Sequence, residues 1–275
     1  MRFRGVVIGL IAIGALTAGC GDYGSKVTGP QSGSSRPKYM GTLVGQAPSV
    51  DVRSSFQIVQ GTGDITAAVA QFRGLLGDPL NGAKTDDQGS GRREINWDGV
   101  PPQFTNVNTF PANFFNARGA NFAGPGTGFR NSDNDFSDLN LNYGVQFNAF
   151  SQPKTFAPVG SPEMEVDFTV AGSNTPAAVT GFGIVFSDVD REGSTSIKLF
   201  DAKGRSLGQY HPPVRSDANG LSFIGVVFDA PIVAKVVIKA GQAAIDAGLE
   251  DVSDGGNRDL VVTDDFLYGE PHALQ

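Results

Sequence analysis

A single cysteine, Cys20, stands in the 275 residues, so no internal disulfide and no cysteine-ligated zinc or iron–sulfur site can form. Two histidines, His211 and His272, leave little imidazole for a Ser-His-Asp relay or a histidine metal centre. Basic residues are outnumbered, 21 Lys and Arg against 28 Asp and Glu, for a formal net charge of −7. An acidic surface repels phosphate, which argues against a nucleic-acid partner and makes divalent cations the natural small ligands. No apolar run reaches the roughly 20 residues that a membrane-spanning helix needs. Only one Trp and three Met are present, against 37 Gly and 20 Phe. That balance suits tight turns around aromatic-rich strands better than a helical bundle.

The last third of the chain carries the pattern. Apolar runs of strand length at 181–186, 195–200, 221–228, 232–238 and 260–266 are each closed by a turn signal. Such spacing predicts an all-β fold, a jelly-roll-like β-sandwich with one short peripheral helix. Met164, Val166, Phe168 and Val170 alternate with Glu163, Glu165, Asp167 and Thr169, giving a strand with one wet face. Residues 182–186 and 223–228 are apolar on both faces, as central strands under cover should be. Asp201 to Gly204 reads as a hairpin loop. A first strand is expected within 50–60, with Phe56 and Ile58 on one face. The helix comes from Ile65, Ala68, Val69, Phe72 and Leu76, which share one face, with Asp64 to cap it and Gly77 to end it. A stripe that narrow predicts packing at the sandwich edge.

The N-terminus reads as an address. Arg2 and Arg4 precede a short apolar core over 6–16, and Leu16-Thr17-Ala18-Gly19-Cys20 follows. This resembles the signal peptide and lipobox of bacterial lipoproteins, although Thr17 stands where a larger aliphatic residue is commoner. The resemblance implies that residues 1–19 are removed and that Cys20 carries a diacylglycerol and an amide-linked acyl chain such as palmitate. Two chains suffice for stable anchoring, at about 0.8 kcal/mol per buried methylene. Gly21, in place of Asp, resembles the outer-membrane or cell-surface sorting class of those lipoproteins. Residues 20–48, rich in Gly, Ser and Pro, form a tether with a reach of roughly 30 Å, leaving 49–270 as a single sandwich domain.

Three further segments are distinctive: Gly91-Arg92-Arg93-Glu94-Ile95-Asn96-Trp97-Asp98-Gly99-Val100-Pro101, then Phe114-Phe115-Asn116 with Arg118-Gly119, and Pro125-Gly126-Thr127-Gly128-Phe129. With Asp264-Asp265-Phe266-Leu267-Tyr268-Gly269-Glu270 they resemble a set of secreted bacterial β-sandwich proteins sharing GRREINWDGVP, FFN/RG, PGTGF and a C-terminal DDFxYGE. That resemblance covers most of the mature domain. It implies fold and secretion and carries no activity.

Oxygen-rich loops are the main chemical candidates. Asp188-Val189-Asp190-Arg191-Glu192-Gly193 resembles the first half of a calcium loop, but Leu199 occupies the position where an EF-hand places its bidentate Glu. A sandwich site can borrow a distant carboxylate, and Asp264 or Asp265 is expected to supply it; jelly-roll carbohydrate-binding modules, which the DDF ending resembles, use such a calcium. The alternative is a solvated acidic turn. Asp133, Asp135 and Asp138 form a second candidate of the same kind. Trp97 beside Asp98 could stack on a sugar ring while its neighbours bind hydroxyls, or the indole could be core. Tyr210 and His211 are a further ligand candidate at a hairpin end.

No catalytic residue is assigned. Glu94 with Asp98, or Glu163 with Glu165 and Asp167, could serve a carboxylate-dependent glycan hydrolase or lyase only if two carboxyls face each other across a cleft. The expected function is therefore a lipid-anchored envelope protein that binds a glycan or other envelope polymer, with calcium as a structural ion. A hydrolase or lyase is one alternative, and an adhesion or scaffold module without a small ligand is the other. Cys20→Ser should release the protein from membranes; fractionation that still finds it tightly membrane-bound would contradict the anchor.

Overall fold

The computed structural model describes residues 55–217 and 219–274. The expected signal peptide, Cys20 and the tether over 20–48 lie outside them. Numbered in chain order, one sheet runs β1 (Phe56–Thr62), β11 (Leu221–Phe228), β8 (Gly181–Ser187), β13 (Val262–Gly269), β5 (Thr155–Val159) and β4 (Gly128–Ser132). Strand β2 (Arg92–Ile95) adds to β13. The second sheet runs β10 (Ser206–Tyr210), β9 (Ser196–Phe200), β12 (Lys235–Lys239), β6 (Glu163–Phe168) and β3 (Ala120–Ala123). A small ladder joins β14 (His272–Ala273) to β7 (Ala177–Ala178).

Between β8 and β13 the chain passes from the first sheet to the second and back twice, with β9 and β10 paired as a hairpin in the second. Both inner faces feed one interior. Phe156, Phe182, Ile184, Ile224 and Phe266 come from the first sheet, and Phe122, Met164, Val166, Leu199 and Val236 from the second. This is an all-β sandwich with a peripheral helix, as the alternation predicts. The 201–204 hairpin also forms, with Asp201 accepting from the Lys203 and Arg205 amides. Phe56 and Ile58 do share a face, beside Phe228 and Val226, but stay half-exposed at the sheet edge; Val59 is the buried residue of β1.

Trp97 is the hub of the interior and is only 1% exposed. Its indole stacks on Phe156 at 3.8 Å and 8°, and meets Phe115 and Phe266 edge-on at 5.4 and 5.1 Å. The backbone bends to put it there. Trp97 has φ 65°, and the Asp98 amide donates across it to the Asn96 carbonyl at 2.8 Å. A left-handed aromatic residue at the centre of so tight a turn is strained, and the packing of five rings around the indole offsets that cost. The expectation of an exposed sugar platform at Trp97 is thereby corrected.

Helix α1 (Thr66–Leu76) packs on the outer face of the first sheet, from the edge strand β1 inward over β11, β8 and β13. Phe72 explains the position. A Cβ added at Gly183 or Gly225 would come within 2.5 or 2.6 Å of the Phe72 ring, and those two glycines are cross-strand partners. The ring fills a socket made by two missing side chains. Asp64 accepts from the Thr66 amide at 3.1 Å, and the Gly77 amide closes the last turn on the Arg73 carbonyl.

Behind β2 lies a buried ion pair. Arg93 donates to Glu270 through Nε at 2.8 Å and Nη2 at 2.6 Å, with both side chains out of solvent. Its remaining donors reach the Gly82 and Lys84 carbonyls at 3.0 and 2.8 Å. Glu270 also accepts from Asn81 Nδ2 and the Gln88 amide. The polar 81–91 loop is thus wrapped around a guanidinium. Breaking a buried pair on one side strands a charge, at a typical cost of about 3–5 kcal/mol. Arg93→Ala should lower unfolding free energy by that amount in denaturant titration; a loss under about 1 kcal/mol would show the pair to be dispensable.

Candidate metal centre and binding groove

Strand β8 ends at Ser187, and Asp188 turns the chain with φ 69°, a conformation Asp tolerates better than most residues. The turn brings Asp188 and Asp190 to the 241–260 segment between β12 and β13. There Asp188, Asp190 and Asp251 each offer an oxygen, all within 4.8 Å of one another. Asp259 lies against the same turn, accepting from the Asp190 and Arg191 amides at 3.3 and 2.9 Å. Asp251 accepts from the Leu260 and Ser253 amides, at 2.7 and 2.6 Å, which fixes its carboxylate. Gln146, from the single turn α2 (Tyr143–Gln146), donates to Asp188 Oδ2 at 2.8 Å.

Three acceptor oxygens at this cluster have no partner: Asp188 Oδ1, Asp190 Oδ1 and Gln146 Oε1. Asp188, Asp251 and Asp259 are fully buried. Burial first, and then the neighbouring carboxylates, pushes Asp188 up to about 8 and Asp190 to about 7. Asp259 is raised by burial as well. Like charges gathered out of water call for protons or a cation. The cluster could hold a metal ion. Its donors are all hard oxygens, the ligand type of calcium and magnesium.

Asp264 and Asp265 are not part of this group. They sit at a register shift in β13, both buried, beside the 148–154 loop. Asp264 Oδ2 accepts from the Phe150 and Ser151 amides at 2.6 and 3.0 Å. Asp265 accepts from Ser151 Oγ at 2.6 Å and lies 3.7 Å from Arg73. Asp98 joins them by accepting from the Lys154 amide at 3.2 Å. These carboxylates staple a loop. Tyr210 packs its ring on Phe56 and donates to the Leu207 carbonyl, while His211 Nδ1 meets the Thr195 carbonyl. Neither shares a contact with Trp97. Asp133 and Asp138 are bound separately, to Asn106 and Arg130, and Asp135 keeps one partnerless oxygen.

Sequence reasoning missed Gln146, Asp251 and Asp259. The run from Glu250 to Asp259, with four acids around Gly255 and Gly256, was the available signal. A groove of about 580 Å³ crosses the outer face of the second sheet. Its floor includes Phe200, Ala234 and Val237, and its sides carry Glu165, Asp167 and Lys235. Lys235 pairs with Glu165 at 2.6 Å and approaches Asp167 at 3.4 Å.

No family model and no curated protein matches the chain. Among solved structures it is similar to the enzymatically active domain of tailspike protein 4 from bacteriophage CBA120, at 16% identity and a TM-score of 0.18. That alignment spans 51% of this chain and 21% of the other. At that level of superposition neither fold nor activity transfers from it.

The β13 carboxylates also set a pH dependence. Burial, then the Asp265 charge, holds Asp264 well above the usual carboxylate range, and burial pushes Asp265 to about 6. Folded protein therefore keeps protons that an unfolded chain releases near pH ~4, and their contribution to stability is lost as pH rises through about 6. Asp264→Asn keeps an acceptor for the two amides and removes one titration. In chelator, melting temperature should fall less steeply for the variant than for wild type between about pH 4 and pH 8; parallel slopes would refute the assignment.

Proposed function

We propose that the chain is a lipid-anchored cell-envelope protein whose β-sandwich binds a glycan or related envelope polymer and carries calcium as a structural ion. The observation that carries the reading is the set of partnerless oxygens on Asp188, Asp190 and Gln146, two of the side chains almost wholly buried. Six to eight oxygens at 2.3–2.6 Å is what calcium takes, and a flexible mix of carboxylate and amide donors suits it better than the rigid octahedron of magnesium. Asp188, Asp190 and Asp251 would hold the ion, with Gln146 completing the shell and Asp259 orienting the turn.

The ligand reading is supported by the groove over the second sheet. Phe200 is half-buried there, with the Lys198 ammonium 5.1 Å from its ring centre. An aromatic floor flanked by carboxylates and a lysine can pack against the C–H face of a sugar and bind its hydroxyls. The stacking chemistry expected of Trp97 is thus better placed on Phe200. Glu165 and Asp167 lie on one strand and share Lys235. That arrangement differs from the opposed carboxyls a glycosidase needs, so binding is favoured over hydrolysis or lysis. The lipobox resemblance supports the anchor, with the outer membrane or cell surface as its place.

Returning calcium to chelator-treated protein should raise its melting temperature. At 100 times the dissociation constant the gain is about 2.7 kcal/mol, or roughly 5–10 °C for a domain of this size. A melt indifferent to calcium would end the cation reading. On a glycan array, the calcium-loaded protein should retain one polymer class, and Phe200→Ala should weaken that binding at least tenfold. A blank array would remove the ligand, and unchanged binding by the variant would move it elsewhere.

A further inference from the structure

The carboxylate cluster draws on three separate pieces of chain: the turn after β8, the α2 turn that bears Gln146, and the 241–260 segment that bears Asp251 and Asp259. Two of them meet a second time. The hydroxyl of Tyr143, in the same helical turn as Gln146, lies 2.8 and 2.9 Å from the Asp246 and Leu249 carbonyls, its one proton shared between them. Asn140 donates to the Leu249 carbonyl at 3.0 Å. Ile245 packs into a satellite core with Phe136, Tyr143 and Phe147. Residues 244–249 form one wall of a cleft of about 690 Å³ whose other wall is Arg130 and residues 157–160.

The segment is acidic, with Asp246, Glu250, Asp251, Asp254 and Asp259 against Arg258 alone. Docking it brings Asp251 against Asp190 and Asp188, where like charges oppose closure. A cation shared by those oxygens reverses the sign of that contact. We propose that cation binding at Asp188, Asp190 and Asp251 is the clasp that docks the 241–260 segment, so that the 690 Å³ cleft is a formed site only when the cation is bound. The proposal rests on the cation reading given above and adds a control element to it. Gln146 Oε1, partnerless on a side chain only 2% exposed and not one of the three carboxylates, is the independent mark of a ligand site.

Hydrogen exchange of the full chain, followed by mass spectrometry in calcium and in chelator, tests this. Calcium should slow exchange at least tenfold in residues 241–260 and 139–150 while leaving the β8 and β11 amides unchanged. The difference should vanish in Asp251→Asn. If that variant does not fold, because Asp251 also caps the 252–254 turn, Asp188→Asn replaces it, keeping an acceptor for Gln146 and tolerating the left-handed φ. A calcium-induced rise in melting temperature without local protection would overturn the clasp and leave the cation site standing. The absence of both would remove the site and the clasp together.

Discussion

The Arg93–Glu270 pair is the contact on which the rest of the molecule hangs. Two full charges lie out of water, and nearly every donor and acceptor they own is used. Such a pair gives little net stability over apolar packing, but removing either partner strands a buried charge. It fixes β2 against β13, which carries the chain into the strained turn at Trp97 and so places the indole among its five phenylalanines. The same contact ties down the 81–91 loop. Arg118 reinforces it from a third direction, donating to the Glu94 carbonyl and accepting from Tyr268 through its own. Segments separated by up to 189 positions are one packing unit.

The molecule handles buried charge in two opposite ways. Around Arg93 the signs cancel and the geometry is closed. Around Asp188 they add, and acceptors are left over. Desolvation is costly in both places, but only the second arrangement has a deficit that an external ion can fill. Asp264 and Asp265 stand between these extremes: backbone amides and a serine hydroxyl hold one oxygen of each, while Asp264 Oδ1 keeps no partner. Proximity of acids in sequence therefore says little about ion binding. What separates the three cases is whether donors already surround the oxygens.

This contrast explains what was legible in the sequence. Alternation over 163–170, the doubly apolar runs at 182–186 and 223–228, and the Ile65 to Leu76 stripe each report a local period, and local periods survive folding. Asp188 and Asp190 were legible too, because both carboxylates lie within one turn. The partners were not. Gln146 and Asp251 reach the site through long-range closure across the sandwich, and nothing in the spacing links 146, 188 and 251. Of the two readings open for Trp97, its polar neighbours suggest a surface, while a reversed backbone angle turns the ring into the core.

The pocket that Gly183 and Gly225 leave for Phe72 has a consequence for how the sheet is assembled. The two glycines face each other only in the observed pairing of β8 with β11. Sliding one strand by a single position would send its glycine to the opposite face and bring a side chain under the ring. The helix can seat itself only on a correctly aligned pair, which makes α1 a gauge of strand alignment.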